Sequence, residues 1–283
     1  MGLDKFYTKE KVAEECVNWL SKYYDIKDIL FIEPSAGAGV FLKYLNQYEA
    51  YDIKPENNNI VTLDFMTLLS TKADFAIGNP PFGKRSSLAI NFINHSAELC
   101  EAIAFILPVS FMKWGVQKQI NNNLKLVDYF YLNPNSFTNN GKDFSVRCVF
   151  QLWVKTNGKY DNNFLDKRLK KQPPIKHSDF EIWQYNATAQ SAGTVEEDWT
   201  IATYRQGYHD YNDFFTREDY DFIKNKMFGE KKQQFFFIKP KSKEVYDRII
   251  KMDFNALAER NTSTPGFGKA DFVGYYTELY NSK

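Results

Sequence analysis

Apolar positions change their period repeatedly along the first half of the chain, and each change marks a predicted element. Over residues 8–24, Val12, Cys16, Trp19, Leu20 and Tyr23 recur at helical spacing, with Thr8 as the predicted N-cap. Short apolar runs at 28–32, 50–53, 60–63 and 75–78 read as strands, and 40–45 as the start of a helix. Further on, 88–100 reads as a helix, 102–107 as a buried strand, 126–132 as a strand and 145–154 as a longer, alternating strand. Strand and helix in this alternation predict an α/β fold, a doubly wound Rossmann-like sheet with its ligand site at the C-terminal strand ends.

The pattern breaks near Thr156. Residues 156–176 are polar and Lys-rich, and Pro173-Pro174 interrupts them. Short aromatic segments follow at 180–185, 199–204 and 234–238, with helical patterns near 216–227 and 241–258. Thr264-Pro265-Gly266-Phe267-Gly268 reads as a flexible turn. We expect one domain over 1–156 and a smaller C-terminal module over 157–283, with no internal repeat.

Composition narrows this only slightly. A 283-residue chain that is 17% aromatic can fill one large α/β core, or a medium core and a smaller one. No apolar run reaches the roughly 20 residues of a membrane span, so no membrane association is expected. The N-terminus is polar from its fourth residue, which predicts no signal peptide. Cys16, Cys100 and Cys148 are too scattered for a disulfide framework, and neither they nor His95, His177 and His209 have metal-ligand spacing. A cytoplasmic protein without a metal is the expectation. The net charge of +1 neither announces nor excludes a polyanionic partner, because local patches matter more than the sum.

The candidate chemistry sits at three turns. In Phe31-Ile32-Glu33-Pro34-Ser35-Ala36-Gly37-Ala38-Gly39 a strand leads through an acid into a tight turn of small residues, where the backbone can approach a ligand. Tyr51-Asp52-Ile53 closes the second strand, and an acid there can accept hydrogen bonds from ribose hydroxyls. Asn79-Pro80-Pro81-Phe82 follows the strand at 75–78. Its prolines stiffen the loop and remove two N–H donors. An amino group placed there would donate to the Asn79 side-chain carbonyl and the Pro80 backbone carbonyl, which aims its lone pair outward. Phe82 offers a face on which a base can stack.

With these residues the chain resembles the class I S-adenosylmethionine-dependent N6-adenine DNA methyltransferases, in the gamma motif order, over residues 4–154. The matching pieces are Asp4-Lys5-Phe6-Tyr7-Thr8, the 33–39 turn, Asp52, Leu63-Asp64-Phe65 and Asn79-Pro80-Pro81-Phe82. The resemblance implies that Phe6, Tyr7, Thr8, Glu33, Pro34, Ser35, Ala36, Gly37 and Gly39 hold the methionine part of the cofactor. It further implies that Asp52 and Ile53 meet its ribose, and Asp64 and Phe65 its adenine. Asn79 through Phe82 would be the catalytic loop, with Asn79 also touching the cofactor. Lys84 and Arg85 would lie near substrate phosphates, and Phe137 or Phe144 would clamp a flipped base. Basic runs at Lys167, Arg168, Lys170 and Lys171 and at Lys239, Lys241 and Lys243 are further candidates for nucleic-acid contact. The implied activity is direct methyl transfer to adenine in DNA. RNA methylation, protein-glutamine methylation and a catalytically inactive binding subunit stay open as alternatives. Residues 157–283 would then serve target recognition.

Overall fold

The computed structural model describes residues 6–139, 141–186, 196–230, 232–260 and 264–280; Asp4 and Lys5 of the N-terminal motif lie outside these. The chain divides into two compact units, Met1–Lys170 and Lys171–Lys283.

The first unit contains, in order, β1 (Tyr7–Thr8), α1 (Glu10–Leu20), β2 (Leu30–Glu33), β3 (Gln47–Asp52), β4 (Val61–Thr62), β5 (Phe75–Gly78), α2 (Ser87–Leu99), β6 (Ala102–Pro108), α3 (Trp114–Gln117), β7 (Leu124–Tyr131), β8 (Phe137–Asn139), β9 (Lys142–Phe144) and β10 (Cys148–Lys155). Seven strands form one sheet in the order β4-β3-β2-β5-β6-β10-β7. Strands β2 to β6 run parallel, while β10 is antiparallel to both β6 and β7. The fold is thus the doubly wound α/β sheet that the alternation predicts.

Two-sided burial explains why the inner strands are near-continuous apolar runs. Phe31, Phe75, Ile77, Ala104, Ile106 and Phe150 fill one face together with Val12, Cys16 and Leu20 of α1. Ile32, Ala76, Ile103, Phe105, Val149 and Trp153 fill the other, against Ile90, Ile93 and Ala97 of α2. From β2 the chain winds outward one way, and from β5 it winds the other. The crevice at the C-terminal ends of β2 and β5 is therefore the topological switch point where such sheets bind ligands.

Three local expectations change. The helix expected from residue 40 is a single short turn, Phe41–Tyr44, whose buried Phe41 and Leu42 join the core that α1 already covers. Helix α1 starts at Glu10 after Lys9, and Thr8 belongs to β1. The strand expected from residue 145 begins at Cys148, because β8 and β9 form a hairpin whose first strand pairs with β1.

The second unit holds β11 (Phe180–Gln184), β12 (Ile201–Gln206), α4 (Tyr220–Phe228), β13 (Gln234–Pro240), α5 (Lys243–Ile249), α6 (Phe254–Ala258) and α7 (Lys269–Tyr280). Its antiparallel sheet has the order β11-β13-β12. Alternation along β13 sends Phe235 and Phe237 to one face, with Trp199, Ile223 and Met227. Phe236 and Ile238 face the other, with Phe254, Phe267 and Phe272. The segment 264–268 is not a loose turn, since Gly266 bridges to Gln206 and Phe267 is 4% exposed.

Residues 157–170, expected in the C-terminal module, pack on the first unit instead. Lys167 N donates to Leu126 O (2.8 Å), and Leu169 N to the Gln117 side chain (2.8 Å). No helix among the described residues is long and apolar enough to cross a membrane.

Candidate active site

A cavity of about 590 Å³ opens at the switch point. Its wall is built from the segments that follow β2, β3, β4 and β5, together with β1. The turn after β2 is tied by backbone bonds from Ala36 N to Tyr51 O (2.9 Å) and from Gly39 N to Ala36 O (2.7 Å). Asp52 completes the knot: its carboxylate accepts from Gly37 N (2.8 Å) and from Lys54 N (2.7 Å). The acid thus fixes the glycine turn and still presents lone pairs at the cavity wall.

Asn79 follows β5 and is held at two points. Its side-chain nitrogen donates to Thr8 Oγ1 (3.2 Å), and its backbone carbonyl accepts from Ser35 Oγ (3.2 Å). Thr8 is itself pinned by the β1–β8 pairing and by Lys9 N donating to Ser136 O (3.0 Å). With its nitrogen so engaged, Asn79 Oδ1 is a buried acceptor without a partner. Thr8 therefore serves the Asn79 amide and is not the helix cap that the sequence suggests; Lys9 takes that position without a side-chain bond.

Glu33 supplies the second orphaned acceptor, since its Oε2 is buried and unpartnered. Burial pushes the Glu33 carboxyl well above the usual glutamate range, and the Asp52 charge adds to the shift. Gly78 makes room for this side chain: its φ is +144°, and a Cβ there would lie 3.2 Å from Glu33 Cγ. A hydrogen bond from the Tyr7 hydroxyl to Glu56, with burial second, raises the Tyr7 pKa to about 12.

Asp64 accepts from Met66 N (3.0 Å) and so caps the short turn Phe65–Thr67. Phe65, 1% exposed, packs on Phe92 and His95. Phe82 is half-buried at the wall, and its carbonyl accepts from Leu88 N (3.2 Å) and Ala89 N (3.4 Å), satisfying the first donors of α2.

Most candidates from the sequence meet here. Phe6, Tyr7, Thr8, Glu33, Pro34, Ser35, Ala36, Gly37, Asp52, Ile53, Asp64, Phe65, Asn79, Pro80, Pro81 and Phe82 all line the cavity. Gly39 does not; its φ of +80° and its place between Leu42 and Asn57 make it a turn residue. Lys84 and Arg85 are exposed beside the loop and outside the lining. Phe137 is 1% exposed within the main core, so it has no face to offer a base. Phe144 is half-buried and stacks on Phe6 (4.3 Å, 14°). The basic runs are largely neutralised: Lys167 pairs with Asp128, Arg168 and Lys170 with Asp166, Lys239 with Asp198 and Lys243 with Asp247.

The sequence reading missed the ion pair between Glu10 and Lys43 (2.7 Å) and the apolar wall of Phe41, Leu88 and Phe92. The apolar residues read simply as core, and nothing in the sequence links Glu10 to Lys43. Among the described residues no group of His, Cys, Asp and Glu is arranged to hold a metal ion.

Comparison with known proteins gives no matching family model and no matching curated protein. Solved structures do match in part. A candidate RNA methyltransferase from Pyrococcus horikoshii is 15% identical with a TM-score of 0.45, over 56% of this chain and 88% of that one. The modification subunit of a candidate type I restriction enzyme from Vibrio vulnificus YJ016 is 13% identical with a TM-score of 0.42, over 53% and 44%. Magnesium protoporphyrin IX methyltransferase from Synechocystis PCC 6803 with bound SAM is 13% identical with a TM-score of 0.41, over 52% and 79%.

Proposed function

We propose that the chain is an S-adenosylmethionine-dependent methyltransferase that acts on the exocyclic N6 amino group of adenine in DNA. One observation carries the reading: at the cavity wall stands a buried Asn79 Oδ1 with no partner, aligned by Thr8 and flanked by Pro80, Pro81 and Phe82. A planar amino group is the donor such an acceptor lacks. The volume and walls also fit the cofactor. A cavity of about 590 Å³ lies in the range of small-molecule sites. Its unpaired Glu33 oxygen and its Asp52 and Asp64 carboxylates suit a ligand rich in donors and positive charge.

When bound, S-adenosylmethionine supplies an electrophilic methyl group on a sulfonium centre. The residues at the wall divide the remaining work. Phe6, Tyr7, Thr8 and the 33–37 turn would receive the methionine part, Asp52 the ribose hydroxyls, and Asp64 with Phe65 the adenine. Asn79 orients the substrate nitrogen and Phe82 stacks on the base. Positioning of this kind can supply several kcal/mol of barrier lowering. An adenine inside a duplex cannot reach such a loop, so the base must be flipped out or already unpaired. DNA is preferred to RNA because of the gamma motif order and the second unit, to which we assign target recognition.

The test is transfer of a labelled methyl group to DNA and to RNA of the same sequence, with cofactor binding followed by calorimetry. Label in DNA adenine supports the proposal. Label in RNA alone moves the substrate, and cofactor binding without transfer to any nucleic acid overturns the catalytic reading.

A further inference from the structure

Acids outnumber cations in the wall of the cavity. Among the described residues that line it, Glu10, Glu33, Asp52 and Asp64 are acids and Lys43 is the one cation. The turn Phe41–Tyr44 explains its place. Phe41 and Leu42 are buried in the core that α1 covers, which leaves the Lys43 side chain 55% exposed at the cavity rim. Glu10 opens α1, where an acid suits the positive end of the helix. Its carboxylate accepts from Lys43 Nζ (2.7 Å) and from the Tyr44 hydroxyl (3.5 Å). This pair holds the Lys43 ammonium at the cavity, and an ammonium carries more donors than the one bond to Glu10 uses.

The cofactor assigned to this cavity presents donors and positive charge at most points and one anionic group, the α-carboxylate of its amino-acid end. Free backbone N–H groups at a strand-to-helix turn could hold such an anion. Here three of them are spent: Ala36 N donates to Tyr51 O, Gly37 N to the Asp52 carboxylate and Gly39 N to Ala36 O. The neighbouring acids repel a carboxylate. Lys43 and Glu10 also belong to the segments that would receive the methionine part. Glu10 lies two residues after Thr8, and Lys43 lies six after Gly37. Asp52 and Asp64, assigned to ribose and adenine, come from the ends of β3 and β4 instead.

We propose that Lys43 holds the α-carboxylate of the cofactor and so makes the site selective for a nucleoside whose amino-acid end is intact. The proposal rests on the cofactor reading above and names the residue that reads this end of the molecule. A ligand that fills the cavity displaces water from around the ammonium, so its carboxylate is screened less than an ion pair on open surface.

The experiment is calorimetry with three ligands: S-adenosylmethionine, its decarboxylated form, and methylthioadenosine, which lacks the amino-acid end. The proteins are the wild type, Lys43→Met, Lys43→Arg and Lys11→Met; Lys11 is an exposed cation of α1 outside the cavity wall. Lys43→Met should bind S-adenosylmethionine about three- to tenfold more weakly, the range between an exposed and a shielded charged pair. It should bind the other two ligands as the wild type does, which also shows that the variant is folded. Lys43→Arg and Lys11→Met should keep the wild-type preference for the carboxylate. Unchanged affinity of Lys43→Met for S-adenosylmethionine overturns the proposal. So does a loss of equal size for all three ligands, or the same loss in Lys11→Met, which would be an effect of net charge alone. If the wild type binds none of the three, the cofactor reading itself falls. If it binds them but Lys43→Met shows no contrast among them, that reading stands and the role of Lys43 falls.

Discussion

Replacing Thr8 by valine removes one hydroxyl and leaves the shape of the side chain nearly unchanged. Thr8 Oγ1 accepts a hydrogen bond from the Asn79 side-chain nitrogen at 3.2 Å, and Thr8 is buried. Without it, a buried N–H donor loses its acceptor, at a cost of about 1–3 kcal/mol. Asn79 escapes that cost by rotating its amide, which also moves Oδ1 off the line it now holds. If the same 1–3 kcal/mol is lost from the transition state, single-turnover transfer slows by about 5- to 150-fold, at tenfold per 1.36 kcal/mol. Thr8→Ser keeps the oxygen and should restore most of the rate. The assay is labelled-methyl transfer at saturating cofactor, with cofactor affinity measured separately. A Thr8→Val enzyme that keeps the wild-type rate refutes the reasoning. So does a loss confined to cofactor affinity, which would make Thr8 a cofactor contact instead.

Four further outcomes follow from the site. Asn79→Ala should reduce transfer by about a hundredfold or more, by analogy with the loss of one well-placed polar group, while calorimetry still detects cofactor binding; full transfer by that variant removes the central claim. Burial holds the Glu33 carboxyl well above the usual glutamate range in the folded protein, so unfolding releases a proton and stability falls as pH rises beyond the ordinary glutamate value of about 4.5. Glu33→Gln should therefore raise the melting temperature of the ligand-free protein at mildly alkaline pH and do so less in mild acid, and a pH-independent difference would argue against a buried, protonated carboxyl. Gly78→Ala places a methyl 3.2 Å from Glu33 Cγ at a φ of +144°, and should lower stability by about 1–3 kcal/mol in a denaturant titration. Phe137→Ala should cost about 3–5 kcal/mol of stability as a core deletion, and a stable variant that has lost only transfer would return Phe137 to the substrate.

Much of the cavity wall was legible because turn chemistry is local. Pro80 and Pro81 fix their own backbone, Gly37 and Gly39 permit the turn after β2, and the apolar runs of β5 and β6 carry their burial in their composition. The strand at 75–78 came out at the bounds expected for it. The region between residues 133 and 147 did not, since its short strands exist only by pairing with each other and with β1. An isolated three-residue strand has no periodicity to read.

The sequence by itself determined the alternation of strands and helices, the order of the turns, and the residue types at the end of each strand. Local backbone preferences and the period of burial encode these, and both act over a few neighbours. Only the tertiary structure decided which side chain each of those residues meets. Thr8 and Asn79 are 71 positions apart, and their bond depends on β1 being carried to β5 by the β8–β9 hairpin. Glu10 and Lys43 meet because α1 and the turn Phe41–Tyr44 cover the same face. Phe137, a candidate to clamp a base, is 1% exposed in a strand that pairs with Thr8. Register and sheet order set those partners, and they arise from the balance of long-range burial that no short window of sequence contains.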